Sequence, residues 1–300
     1  FADKIACEEA VTVPKCWQMY TDRNYDAPQY INQDYPFPVD PPHLPDAIPG
    51  GFYRHTFTAK KNTDKRYWLN FEGVSPCFYL WLNDRFVGFG SVSHSTNEFD
   101  VTDYLTNGDN KIEVLVVKYC VGTYLEDQDF FRLSGIFRDV YILERDEACI
   151  RDIFIRPQVA EDLQSAVVSV DVDMTQQVAF AWSLRDPDGA PTDIHGFENG
   201  SFSFEIEKPI LWNPEQPKQY ELFVTCGTEC ISFMIAVRRF EIKNKTVLLN
   251  GVKVKAKGVN RHDNHPETGY KEFKTSKYME DKFIELGYDI VKADGITGFY

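Results

Sequence analysis

The side chains most capable of chemistry are concentrated in the stretch TYLEDQDFFRLSGIFRDVYIL, at positions 123–143. A surface loop would be polar throughout, and a buried strand would exclude carboxylates. This mixture therefore predicts either an ion-paired structural cluster or the wall of a polar pocket. The charged and aromatic residues that pose the choice are Glu126, Asp127, Asp129, Phe130, Phe131, Arg132 and Arg138.

A second group of polar side chains occupies NRHDNHP, at positions 260–266. A lone histidine usually has a structural role, but several hydrogen-bonding side chains in succession favour a site. Arg261 fits an ion-pair role better than a ligand role. The members of this group are Asn260, Arg261, His262, Asp263 and His265.

The net charge of the chain limits which classes of ligand it can bind. The chain has 46 acidic and 32 basic residues and a formal net charge of −14. Because nucleic-acid affinity comes largely from Lys and Arg that neutralise phosphates, this balance predicts no nucleic-acid partner. It favours neutral or cationic ligands.

The cysteines predict buried free thiols. There are seven, an odd number, without paired CxxC spacing, and Cys226 and Cys230 have no histidine nearby to complete a zinc site. We therefore expect a reducing, cytoplasmic compartment. The first ten residues do not follow the pattern of a secretory signal, and no apolar run approaches the roughly 18–20 residues that span a bilayer, so no membrane partner is expected.

The sequence predicts that the polar groups are positioned by β-strands. Residues 1–50 predict an extended arm, since YPFPVDPPHLPDAIPGG holds six prolines in 17 residues. Short strand-like runs separated by tight turns follow, and they predict an antiparallel sandwich of the jelly-roll type over residues 1–148. The runs are 51–59, 66–74, 77–83, 85–91, 111–120 and 139–145.

Two further segments follow. Residues 149–243 predict six or seven strands, a number that suits an immunoglobulin-like sandwich, and 166–174 alternates clearly. Residues 244–300 predict a hairpin, an amphipathic helix and a strand, the opening of a βαβ unit. A complete (β/α)8 barrel needs about 250 residues, so only its start would fit.

Several motifs occur together in one order: VPKCWQMY, FEGVSPCFYLWLNDRFVGFG, NEFDVTDYL, YLEDQDFFRLSGIFRDV, LWNPEQPKQY and LLNGVKVKAKGVNRHDNHP. In this combination the chain resembles the N-terminal part of the β-galactosidases of glycoside hydrolase family 2. The resemblance implies a mainly β fold, with a jelly-roll sugar-binding domain, an immunoglobulin-like domain and the truncated start of a TIM barrel.

The resemblance also implies the activity, the retaining hydrolysis of terminal non-reducing β-D-galactose. In the family the two catalytic glutamates lie on later barrel strands, so no catalytic residue is expected in this segment. Mg²⁺ and Na⁺ assist in the family, with most ligands expected outside these residues, and the full protein is expected to be a homo-oligomer. The alternative is a non-catalytic module that binds carbohydrate or another subunit.

Three site residues are carried over from the resemblance. Asp129 matches the aspartate that helps to hold the galactose hydroxyls and a sodium ion. His262 matches a histidine that binds the sugar and supports the transition state. Ser75 stands where the best-known members have an asparagine, and its hydroxyl has a shorter reach and one donor instead of two.

The last strand departs from the family pattern. Lys292 stands where the family has arginine, and Gly295 stands where it has a sugar-contacting histidine. The role of that histidine does not carry over to this chain.

Overall fold

A computed structural model describes residues 9–23, 25–30, 35–126, 131–255 and 264–270. The described residues form two compact units. One contains the residues up to Arg145 together with 264–270, and the other contains those from Asp146 to 255. No helix in these ranges is long and apolar enough to cross a membrane.

The first unit is built from short strands, with 3-10 turns at Trp17–Met19 and Val121–Tyr124. Up to the unit boundary the strands are β1 Lys15–Cys16, β2 Gln29–Tyr30, β3 Gly50–Ala59, β4 Lys65–Phe71, β5 Val74–Ser75, β6 Cys77–Leu82, β7 Arg85–Gly90, β8 Asn97–Asp100, β9 Gly108–Val117, β10 Phe131–Arg132, β11 Gly135–Ile136 and β12 Val140–Asp146.

Two sheets of this unit pack around one apolar core. One sheet has the order β3-β9-β6-β7 with antiparallel pairing, and the other has the order β12-β4-β8. Phe71, Phe78, Leu80 and Val116 are fully buried between them. The two-residue turn at Asn83 and Asp84 has positive φ at both positions, as a tight hairpin requires. The predicted antiparallel sandwich is confirmed, with strands within about three residues of their predicted limits.

The second unit contains ten strands. They are β13 Ile150–Val159, β14 Ser165–Met174, β15 Phe180–Arg185, β16 Pro191–Glu198, β17 Phe202–Glu207, β18 Tyr220–Cys226, β19 Glu229–Ile235, β20 Phe240–Lys243, β21 Thr246–Leu249 and β22 Val252–Lys253. The segment 264–270, which belongs to the first unit, adds the hairpin of β23 Asn264–His265 and β24 Gly269–Tyr270.

Seven strands of the second unit form two antiparallel sheets, β13-β14-β17 and β16-β15-β18-β19. Strand β16 was not predicted, because it begins with Pro191 and its polar residues Thr192 and Asp193 are adjacent instead of alternating with apolar ones. Its pairing is explained by Gly196, where a Cβ would lie 2.7 Å from Trp182 Nε1. Only a glycine lets the indole pack directly on this edge strand.

The predicted barrel segment is described only in part. The predicted hairpin is confirmed as β21 and β22, joined by Asn250 and Gly251, both with positive φ, and β20 adds a third antiparallel strand. The predicted helix and final strand, with Lys292 and Gly295, lie outside the described residues. No start of a barrel is visible in the described part.

Candidate functional site

A cavity of about 220 Å³, lined by both polar and apolar residues, lies in the first unit beside the acidic and aromatic stretch singled out above. Five segments of the chain contribute to its wall, at 75–76, 92–95, 118–126, 132–134 and 270. The lining residues described below are Ser75, Ser93, His94, Thr123, Glu126, Arg132, Leu133 and Tyr270.

A small antiparallel sheet, β1-β11-β5, positions Ser75 at the cavity wall, with Gly135 of β11 opposite it. Ser75 is buried, and its Oγ donates a 3.1 Å hydrogen bond to the Leu133 carbonyl oxygen. This bond uses the only donor of the hydroxyl, so its lone pairs are what it can offer a ligand. Its predicted role as a sugar ligand stays a prediction.

Tyr270 joins the wall from the hairpin of β23 and β24. Its buried hydroxyl accepts a 3.0 Å hydrogen bond from the Leu133 N–H and donates a 2.9 Å bond to the Phe131 carbonyl. The ring lies edge-on to His94 and Phe137, with centroids 4.9 and 5.0 Å away. Tyr270 therefore fixes the backbone at Phe131 and Leu133.

Glu126, five positions before Phe131, is held by a hydrogen bond from Ser93. Its Oε1 accepts a 3.0 Å hydrogen bond from Ser93 Oγ, which also lies 2.9 Å from His94 Nδ1. Burial raises the pKa of Glu126, against the hydrogen bond from Ser93 and the positive charge of Arg132, which lower it. The carboxylate is thus an acceptor in a partly desolvated wall.

His94 has a shifted pKa for a related reason. Part of the residue is exposed, but its ring packs against Phe137 and Tyr270. Loss of water around the ring, together with the nearby charge of Arg138, lowers the pKa of His94 to about 4. The neutral imidazole can therefore donate or accept one hydrogen bond at neutral pH.

The two arginines of the stretch contact backbone carbonyls. Arg132 directs its terminal nitrogens at the Thr123 carbonyl, 3.5 Å away, and stands 5.9 Å from the centre of the Tyr35 ring. Arg138 donates to the carbonyls of Glu72 and His94 at 3.3 and 2.9 Å. These bonds tie the two side chains to the backbone.

The predicted ligands Asp129 and His262 lie outside the described residues, as do Asp127, Phe130, Asn260, Arg261 and Asp263. Described residues flank both groups. Glu126 and Phe131 border the first, and Asn264 borders the second. Of the described residues near the first motif, Glu126 and Arg132 line the cavity.

Sequence reasoning did not identify Ser93, His94 or Tyr270. No local motif marks them, since Tyr270 meets Phe131 and Leu133 across 139 and 137 positions of the chain. For metals, the described residues contain no group of three His, Cys, Asp or Glu side chains that could hold an ion. The predicted sodium ligand Asp129 is outside that range.

The chemistry of the wall suits a small polyhydroxylated molecule. Serine and threonine hydroxyls, a carboxylate and an imidazole offer both donors and acceptors, and aromatic rings stand beside them. Such a surface can hydrogen-bond hydroxyls while its rings cover apolar C–H faces.

Comparison of the sequence with protein-family models identifies its family. Residues 3–146 match the sugar binding domain of glycosyl hydrolases family 2, and residues 148–238 match a second model of glycosyl hydrolases family 2. The chain belongs to this family.

Relatives narrow the resemblance within the family. The chain is 42% identical over 271 residues to a beta-galactosidase of Actinobacillus pleuropneumoniae, covering 89% of the chain and 26% of that relative. It is 40% identical over 265 residues to a beta-galactosidase of Staphylococcus xylosus, covering 87% of the chain and 26% of the relative. The chain thus spans about a quarter of the length of these relatives and is similar to their N-terminal portion.

Solved structures agree on the fold. A beta-glycosidase from Bacteroides vulgatus is 25% identical with a TM-score of 0.67, covering 80% of this chain and 33% of its own. A Bacteroides uniformis beta-glucuronidase matches with a TM-score of 0.73 at 17% identity, covering 92% of this chain and 36% of its own. At that identity the second likeness concerns the fold alone.

Proposed function

We propose that this chain is the N-terminal part of a β-galactosidase and that its cavity helps to bind the terminal galactose. The observation that carries the proposal is the coincidence of motif and cavity. Glu126 of the YLEDQD stretch and Arg132, three residues after it, line the cavity, as does Ser75 of the GVSP motif. Relatives at 40–42% identity that bear the name beta-galactosidase support the choice of sugar.

Within this proposal the wall has a binding role. Ser75 and Glu126 accept hydrogen bonds from sugar hydroxyls, and His94 donates or accepts one as a neutral imidazole. By the family resemblance, Asp129 and His262 contribute further hydrogen bonds, and His262 supports the transition state. A sodium ion held by Asp129 would neutralise charge beside the sugar, and a magnesium ion would be bound mostly by residues elsewhere.

Hydrolysis requires two carboxyl groups about 5–5.5 Å apart on either side of the glycosidic bond. In our proposal these glutamates belong to a TIM barrel that begins near residue 244 and is supplied mostly by sequence beyond this segment. The chain alone is therefore expected to bind without hydrolysing. Homo-oligomeric assembly and a cytoplasmic location complete the proposal for the whole protein.

Complementation tests the proposed activity. A chromogenic β-galactoside is incubated with this 300-residue chain alone and with the remaining C-terminal region of a beta-galactosidase relative. We expect hydrolysis only with the complementing region, and loss of at least a hundredfold in activity when Asp129→Ala is introduced into this chain, consistent with the loss of a charged ligand. Tyr141→Phe, which loses its bond to Glu72 away from the cavity, is the control.

The same assay separates the alternative. Binding of galactose without hydrolysis in either mixture would favour a non-catalytic carbohydrate module. Hydrolysis of a β-glucuronide in preference to the β-galactoside would contradict the assigned sugar. Hydrolysis by the isolated chain would contradict the placement of the catalytic glutamates elsewhere.

A further inference from the structure

Asparagine is followed by glycine at three places in the chain, at 107–108, 199–200 and 250–251. At such a step the backbone nitrogen of the glycine can attack the side-chain amide carbon of the asparagine, because glycine has no Cβ to obstruct the approach. The attack requires the side-chain amide to leave its hydrogen bonds and to turn towards the next residue. The structure around each step therefore decides how readily it reacts.

The step at Asn250 is held most firmly. Asn250 Oδ1 accepts a 2.9 Å hydrogen bond from the Arg239 N–H, and Asn250 Nδ2 donates a 2.9 Å bond to the Trp212 carbonyl. The Asn250 N–H also donates to the Arg239 carbonyl at 2.8 Å. The side-chain amide would have to give up two hydrogen bonds before the Gly251 nitrogen could attack it.

The step at Asn107 is held at one side-chain atom. Asn107 is exposed, but its Oδ1 accepts a 2.7 Å hydrogen bond from the Lys61 N–H. Gly108 opens β9 and pairs with Ala59 of β3, so the attacking nitrogen belongs to a paired strand. We expect this step to react more slowly than an unrestrained one.

The step at Asn199 lacks both kinds of restraint. Asn199 is exposed and lies with Gly200 in the bend that joins β16 to β17. The Asn199 carbonyl accepts a 3.4 Å bond from Gln177 Nε2, but no hydrogen bond joins its side chain or the Gly200 N–H to another of the described residues. A Cβ built on Gly200 would have no heavy atom within 4 Å, so the space around the step is open.

We propose that Asn199 is a deamidation site, at which the side-chain amide is lost as ammonia and the backbone rearranges to isoaspartate. The Gly200 nitrogen forms a bond to Asn199 Cγ, its proton passes to the amide nitrogen, and the bond from Cγ to that nitrogen breaks to release ammonia. Water then adds to one of the two carbonyls of the resulting succinimide and breaks a ring C–N bond. Opening at one carbonyl gives aspartate and opening at the other gives isoaspartate, so asparagine and water give an acid and ammonia.

The product changes a connection between the two sheets of the second unit. Strand β16 belongs to the sheet β16-β15-β18-β19, and β17 belongs to the sheet β13-β14-β17. Isoaspartate adds a methylene to the main chain of this connection and a carboxylate next to Glu198. The proposal stands on the surroundings of the three steps and is independent of the sugar assignment.

The test incubates the 300-residue chain at slightly alkaline pH, where the glycine nitrogen loses its proton more readily, and follows the three asparagines by peptide mass spectrometry. We expect Asn199 to convert at least about tenfold faster than Asn250, since two hydrogen bonds must break before Asn250 reacts. Asn107 should lie between them. Isoaspartate, counted by methyl transfer from an isoaspartyl carboxyl methyltransferase, should be found mostly at position 199, and anion exchange should resolve a more negatively charged form.

Gly200→Ala is the matched control, because the added Cβ obstructs the attack and Gly200 lacks the positive φ that would strain an alanine. It should remove most of the conversion at Asn199 and leave the fold intact. In guanidinium chloride the three steps of the unfolded chain should react at similar rates, because the surroundings that distinguish them are gone. Equal rates at Asn199 and Asn250 in the folded chain, or the same ranking in the folded and unfolded chains, would overturn the proposal.

Discussion

The two sandwiches use their ends differently. In the second unit, aromatic side chains stack across the sheets, with the Trp182 ring 4.5 Å from Phe202 and 5.1 Å from Phe204. In the first unit, the end occupied by β5, β10 and β11 is held by polar contacts of Ser75, Tyr270 and the acidic stretch. The comparison teaches that one sandwich serves as a packed support, while the other combines a small apolar cluster of Cys16, Leu133, Phe137 and Tyr270 with hydrogen-bonding groups at one end.

The largest effect is expected from the core of the second unit. Leu222 is fully buried on β18, and Leu222→Ala should lower the free energy of unfolding by about 2–5 kcal/mol through lost contacts and a residual cavity. Urea unfolding followed by circular dichroism measures this loss. Galactose affinity of the folded variant should be unchanged, and a matching loss of affinity would contradict the division of roles.

An intermediate effect is expected at Tyr270. Tyr270→Phe keeps the ring but leaves the buried Leu133 N–H without its partner, which costs about 1–3 kcal/mol. We expect urea unfolding to show this loss. We also expect weaker galactose binding, because the backbone at Phe131 and Leu133 is no longer held in place beside the cavity.

The control for Tyr270 lies in the other sandwich. Tyr220→Phe removes a 2.9 Å hydrogen bond from the Ile210 N–H to a buried tyrosine hydroxyl. It should lower stability by a similar amount and leave sugar affinity unaltered. Equal affinities for the two phenylalanine variants would show that Tyr270 has only a structural role.

The smallest effect concerns pH. The pKa of His94 in the folded state, about 4, is below the ordinary value of 6.5, so the unfolded chain binds the proton more tightly. Its contribution to stability is therefore fully present above pH 6.5 and is lost as the pH falls from 6.5 towards 4.

The measurement compares unfolding midpoints of the native chain and His94→Gln across that interval. The native chain should lose more stability on acidification than the variant, by a modest amount because the residue is partly exposed. Parallel curves for the two proteins would show that His94 does not titrate in this way.

The sequence predicted the sheets better than the site. Alternation in 166–174 and the Asn83–Asp84 turn are local signals, because one side of a strand faces the core and a two-residue hairpin needs positive φ. Strand β16 was missed, since its place depends on Trp182 packing over Gly196, and neither residue signals this alone. The hydrogen bonds of Tyr270 to Phe131 and Leu133 were missed because these partners are more than a hundred positions away in sequence.

The part of the site that could be predicted rests on the family motifs. They led to Ser75 and Glu126, and both line the cavity. Asp129 and His262 remain predictions.

Galactose titration of the isotopically labelled chain, followed by heteronuclear NMR, tests the central claim most directly. The account predicts saturable shifts of the Ser75, Ser93, Glu126 and Leu133 amides, with those of β15 and β18 in the second unit unmoved, and no comparable response to glucuronic acid. Shifts confined to the second unit, or none at the cavity with galactose in large excess, would contradict the assignment of the sugar to this wall.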